Sequence, residues 1–111
     1  MSYDKDLADR IRNLLQAEPS LTSREMFGGI GFMLNGNMIC GVIREGMIAR
    51  VGPQAYDALL AEPGVQVFDM TGRQMRGWVV VEPQAVESDR QLKTWVERAA
   101  AFVRTLPAKR T

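Results

Sequence analysis

The chain has 111 residues, 46% hydrophobic and 24% charged, with a formal net charge of +1. That length holds one domain with one core, and the balance excludes both a disordered chain and a strongly basic nucleic-acid binder. A single cysteine rules out an internal disulfide, and zero histidines remove the commonest metal ligand and general base.

Leu7, Ile11, Leu14 and Leu15 recur at i, i+4, i+7 and i+8, which predicts a helix from about Asp4 to Ala17. Asp4 and Asp6 stand near its start, where negative charge suits the helix dipole. Pro19 ends it, and Ser20 to Ser23 read as a connector. From Arg24 to Val51 the period changes to two. Ile30, Phe32 and Leu34 alternate with Gly31 and Met33, and Glu25-Met26-Phe27 extend this strand before Gly28-Gly29. Asn35-Gly36 is the favoured dipeptide of a type I′ hairpin turn, because both positions need φ > 0. Met38, Cys40 and Val42 then share a face of the next strand, and Glu45-Gly46 is a weaker turn before a strand from Met47 to Val51.

Gly52-Pro53 opens a short helix with Tyr56, Leu59 and Leu60 as its apolar stripe, stopped by Pro63-Gly64. Val65 to Met70 and Met75 to Val81 read as strands around a Thr71-Gly72-Arg73 turn, and Pro83 ends the second. Ser88-Asp89-Arg90-Gln91 fits the S-x-x-Q capping box. Leu92, Trp95, Val96, Ala99, Val103 and Leu106 follow it at helical spacing, and Pro107 closes the helix before the tail Lys109-Arg110-Thr111. The order is α-β-β-β-α-β-β-α: an α+β domain over residues 1–111 with an antiparallel sheet of about five strands.

Strand Ile39 to Ile43 is apolar on both faces, and Trp78 to Val81 is similar. A sheet with one covered face alternates more cleanly, so either helices cover both faces or the second face meets another chain. The second alternative makes a homodimer the expected assembly. Trp78, on the opposite strand face from Val79, is the candidate interface aromatic.

Met26-Phe27-Gly28-Gly29-Ile30-Gly31-Phe32 is the most distinctive stretch. A phosphate-holding glycine loop needs a helix N-terminus after the glycines, and no helix pattern follows here. Met26, Phe27, Gly28, Gly29 and Gly31 therefore read as a structural motif, a bulged or kinked strand where close packing excludes a Cβ. Cys40 lies in an apolar strand with no neighbouring base and reads as a small core hydrophobe. Eleven of the fourteen basic side chains are arginine. Arg24, Arg50, Arg73 and Arg76 are the candidates for an anion or partner contact, with Arg50 singled out because a charge inside a strand faces solvent or needs a partner. Yet Arg24 to Glu82 holds five arginines against six carboxylates, so no stripe of one sign forms. The carboxylates make no catalytic pair or metal motif in sequence, so no catalytic residue, metal or cofactor is expected. No apolar run nears the roughly 20 residues of a membrane span. The opening MSYDKDLADR has no signal core, so the expected location is cytoplasmic, with no membrane partner.

The run Arg24-Glu25-Met26-Phe27-Gly28-Gly29-Ile30-Gly31-Phe32-Met33 resembles the R-x-M-F-G-G-x-G motif that opens the TfoX/Sxy N-terminal domain family. The similarity continues through Asn35-Gly36-Asn37-Met38 and Met47-Ile48-Ala49-Arg50-Val51 to the Leu92…Trp95-Val96 helix, covering about Leu7 to Leu106. The family often carries lysine at Arg50, and its aromatic-rich penultimate strands are here mostly valines, Val79 to Val81. The resemblance implies a two-layer α+β domain linked to regulators of bacterial natural competence and transcription. Longer members add a C-terminal helical domain, which the chain, ending at Thr111, is expected to lack. With no catalytic residues to carry over, the expected function is a non-enzymatic regulatory or adaptor domain that contacts a protein partner. A nucleic-acid-binding regulator is the alternative that near-neutral charge disfavours. A small-ligand or enzymatic domain with a polar pocket near Gly28-Gly29 and Arg50 is the other.

Overall fold

The computed structural model describes residues 3–26, 28–44, 46–70 and 72–108. Helix α1 (Lys5–Leu14) is capped by Asp4, whose Oδ1 accepts a hydrogen bond from the Leu7 N–H at 3.1 Å. It stops short of Ala17: Leu15 leaves helical geometry, and the chain turns through Glu18 before Pro19. Strands β1 (Leu21–Met26), β2 (Gly29–Leu34), β3 (Asn37–Ile43) and β4 (Gly46–Arg50) follow. Helix α2 (Tyr56–Leu60), strands β5 (Val65–Met70) and β6 (Arg73–Val81), a 3₁₀ turn at Pro83–Ala85 and helix α3 (Asp89–Val103) complete the order.

The six strands form one antiparallel sheet in the order β1-β2-β3-β4-β6-β5. The α+β class and element order are as expected, with one more strand than the sequence suggested. Leu21–Met26 is a strand of its own, paired with β2 from Leu21↔Leu34 to Met26↔Gly29. Thr22, Ser23, Arg24 and Glu25 are all exposed at this sheet edge, so no apolar alternation marked them. The bend expected within one strand is thus a hairpin, with Gly28 in its turn at φ 75. Phe27 lies outside the described residues, as do Glu45, Thr71 and the 109–111 tail. At the next hairpin Asn35 (φ 52) and Gly36 (φ 81) both take the left-handed conformation that a type I′ turn requires.

Residues directly opposite each other share a sheet face. Phe32 faces Cys40, Cys40 faces Ala49, and Ala49 faces Val79; Ile30, Val42, Met47 and Val81 make a parallel row. All of them belong to the main core with Leu7 and Ile11 of α1, Tyr56 of α2, and Leu92, Trp95 and Val96 of α3. The three helices therefore make a single layer on one side of the sheet. Its last member is fixed by the expected capping box: Ser88 Oγ accepts from the Gln91 N–H at 3.1 Å, and Gln91 Oε1 accepts from the Ser88 N–H at 3.0 Å.

A β-bulge between Phe32 and Met33 inserts Ile39 into β3 as an extra residue. Simple alternation put Met38 with Cys40 and Val42. The bulge instead sets Met38 opposite Met33, away from the helices, while Ile39 joins the core. The far face then carries Gly31 opposite Gly41, Gly41 opposite Ile48, Ile48 opposite Val80, and Arg50 opposite Trp78.

Candidate functional site

Ile48 is only 3% exposed yet stands outside the core that the helices cover. Its burial comes from the sheet. A cavity of about 180 Å³ on the far face is lined by Met26 of β1, Met38 of β3, Ile48 of β4, Phe68 of β5 and Trp78 of β6, with Ile43 and Met75, and is bordered by Ile30 of β2, whose side chain belongs to the helix-side core. Six flat strands would hold β1 and β5 about 24 Å apart. One small cavity touching both requires a strongly curled sheet, concave on the side away from the helices. The two-sided apolar strands are thus accounted for by a second, smaller apolar cluster inside this curl. The Phe68 and Trp78 rings close one side of it, with centroids 6.3 Å apart. Met26, Met38, Phe68, Met75 and Trp78 stay half-buried along the rim.

Glycines lie beneath two of the lining methionines. A Cβ on Gly31 would lie 2.9 Å from Met38 Cε and 3.3 Å from Met26 Cε. One on Gly41 would lie 2.7 Å from the Ile30 carbonyl oxygen and 3.1 Å from Met38 Cε. The methionine ends therefore rest on bare backbone where Gly31 and Gly41 face each other. Methionine, unbranched and polarizable, suits an adjustable surface of this kind. Next to the cavity, across the same Met26 and Met38, a wider basin of about 550 Å³ is lined by Ser20, Thr22, Ser23, Arg24, Met33 and Gly36.

The four candidate arginines do not converge on one point. Arg24 lines the basin. Arg50 is half-buried at the end of β4, its guanidinium carbon 5.4 Å from the Trp78 ring centroid and 5.8 Å from that of Phe102. Its Nη1 lies 3.5 Å from the Met38 carbonyl oxygen, the outer limit of a hydrogen bond. Burial lowers its pKa from the ordinary value, and guanidinium still stays charged at neutral pH. Arg24 and Arg50 have no carboxylate within salt-bridge reach among the described residues. Arg76 is engaged with α2, 3.3 Å from Asp57 and over the Tyr56 ring at 5.1 Å. Arg73 lies exposed at the start of β6.

Cys40 is fully buried in the helix-side core, and desolvation pushes its thiol up to about 12. Among the described residues no polar or charged side chain is buried, and no group of three or more histidine, cysteine or acidic residues stands close enough to hold a metal ion. None of the described helices is long and apolar enough to cross a membrane. The concave face can hold apolar groups and present positive charge beside them.

Met26 and Trp78 were legible as candidates; Met38, Ile43, Phe68 and Met75 were not. The signal that could have found them is the apolar character of both faces of β3, since a curled sheet needs apolar residues inside the curl as well as under the helices.

Comparison with curated proteins and with solved structures gives no match. The sequence pattern of the TfoX N-terminal domain matches residues 13–103, most of the chain. The motif residues of β1 and β2, the Asn35-Gly36 hairpin and the capped α3 all lie within that span, and the chain belongs to the TfoX N-terminal domain family.

Proposed function

We propose that this chain is a regulatory or adaptor domain, akin to the N-terminal domain of competence regulators, that works by contacting protein and not by catalysis. The observation that supports it is the rim of the concave face. Met26, Met38, Phe68, Met75 and Trp78 are half-buried there, next to Arg24 and Arg50. Interface cores are enriched in aromatics, methionine and arginine, and this rim combines all three. In this reading the first partner is a second copy of the chain, in keeping with a bacterial, cytoplasmic homodimer.

Sedimentation velocity across the micromolar range tests the reading, with Trp78→Lys as the variant. Self-association that Trp78→Lys weakens, at unchanged circular dichroism, is the expected result. A monomer at every concentration removes the second copy. Titration with duplex and single-stranded DNA at low salt tests the nucleic-acid alternative. The near-neutral charge predicts no binding tighter than the micromolar range.

A further inference from the structure

Among the described residues, the cavity inside the curl has no covering element and no polar group exposed in its wall. Its volume of about 180 Å³ is slightly larger than the roughly 150 Å³ at which an apolar cavity takes up benzene. That is room for one aromatic ring or a chain of about six to eight carbons. Its wall offers water no hydrogen-bond partner, so an apolar guest displaces no water that the wall holds by a hydrogen bond. Met26 and Met38 separate it from the basin lined by Ser20, Thr22, Ser23 and Arg24. Both are unbranched and reach Gly31 by their methyl ends, so the partition between the two spaces is made of movable groups.

Among the described residues, the charge beside this partition has one sign. Arg24 lines the basin, and Arg50 touches both the Met38 carbonyl and the Trp78 ring. The carboxylate nearest in sequence, Glu25, sits on the helix side opposite Ile30 and accepts a hydrogen bond from the Tyr3 hydroxyl at 3.0 Å. An apolar slot divided from an arginine-lined basin only by the movable ends of two methionines matches one ligand chemistry. We propose that the concave face binds a small amphipathic carboxylate. Its alkyl or aryl body lies among Ile43, Ile48, Phe68 and Trp78, and its carboxylate lies in the basin at Arg24, with Arg50 adding positive potential behind Met38. The site belongs to a single chain and does not depend on the protein contact proposed above. A chain that is monomeric throughout tests it equally well.

The experiment titrates the intact chain with octanoate, followed by Trp78 emission and by calorimetry. Trp95 is only 4% exposed in the helix-side core, and Trp78→Phe assigns the signal. The expected dissociation constant is on the order of 100 µM, from ordinary ligand efficiencies for about ten heavy atoms. 3-Phenylpropanoate competes for the same site, and the ratio of the two affinities shows whether a ring or a chain fits better. Octanol binds about three- to fivefold more weakly than octanoate, and octylamine more weakly still. Arg24→Gln removes the advantage of octanoate over octanol and leaves octanol binding unchanged. Ile43→Trp fills the cavity and abolishes binding of both; Met75→Trp replaces it if that variant fails to fold. No saturable binding of either carboxylate up to the millimolar range overturns the proposal. So does octylamine binding as tightly as octanoate, or binding that survives a folded cavity-filling variant.

Discussion

The backbone of Gly29 runs so close to the carbonyl of Val42 that no methyl group fits between them. A Cβ there would overlap the Val42 oxygen and lie 2.9 Å from Ile43 Cγ1. The obstacle on one side is backbone within the sheet, which cannot swing away. We expect Gly29→Val to lower stability by roughly 1–3 kcal/mol, the range for overpacking and strain. Gly31→Ala meets only the flexible ends of Met38 and Met26, and costs less than about 1 kcal/mol. Urea denaturation of both variants checks the order. An equal loss at the two positions would mean that the Met38 side chain is as immobile as backbone.

Cys40 offers a second test. Its thiol is raised by burial, so the folded state holds the proton more tightly than the unfolded chain does. The stability linked to this group is fully present below the unfolded value of 9.0 and is lost as pH rises from there toward about 12. The loss approaches about 1.4 kcal/mol per pH unit in that window. Cys40→Ala should therefore flatten the alkaline fall of stability relative to the parent. The native thiol should also resist an aromatic disulfide reagent at pH 8 and react at once in denaturant. Rapid labelling of the native protein would contradict its placement in the core.

Ser88→Ala removes a cap that satisfies an N–H of α3, the helix that carries Leu92, Trp95 and Val96 into the core. A loss of about 1 kcal/mol is expected. Ser88→Asp should retain most of that stability, since an aspartate side chain can accept the same Gln91 N–H bond. Thermal melts of the three proteins provide the measurement.

Arg50→Met is expected to be neutral or slightly stabilising, within about 1 kcal/mol. The guanidinium rests between Trp78 and Phe102 with no carboxylate partner among the described residues, and its desolvation opposes its two ring contacts. Methionine keeps the packed stem and removes the charge. Chemical denaturation decides the matter. A loss above 2 kcal/mol would show that the ring contacts hold the end of the sheet together.

Most of the fold was legible because its strongest signals are local. The Leu92, Trp95, Val96 stripe behind Ser88 needs no tertiary context, and neither does the Asn35-Gly36 turn. β1 was hidden as a separate strand because an exposed edge strand carries no apolar alternation: Ser20 to Ser23 read as a connector, and Glu25-Met26-Phe27 read as part of the following strand. The side-chain direction of Met38 was hidden because one inserted residue, Ile39, reverses the phase of everything before it. The cavity was hidden for a different reason. Met26 and Phe68 are brought together by curvature, which belongs to the sheet as a whole and to no single strand.

Among the described residues the strand order leaves two backbone edges unpaired, β1 and β5, and each limits addition of a further strand in its own way. An unpaired edge is a template for pairing with another chain, the first step toward aggregation. On β1 the exposed residues include Arg24 and Glu25, charges that an incoming strand would have to accommodate. β5 is the more hazardous, because Val67 is 43% exposed. There the register shifts between Val67 and Asp69, so the regular edge runs only from Val65 to Val67 before an irregular backbone and a carboxylate interrupt it. The register shift of β5 thus also leaves too short a straight edge for another strand to extend.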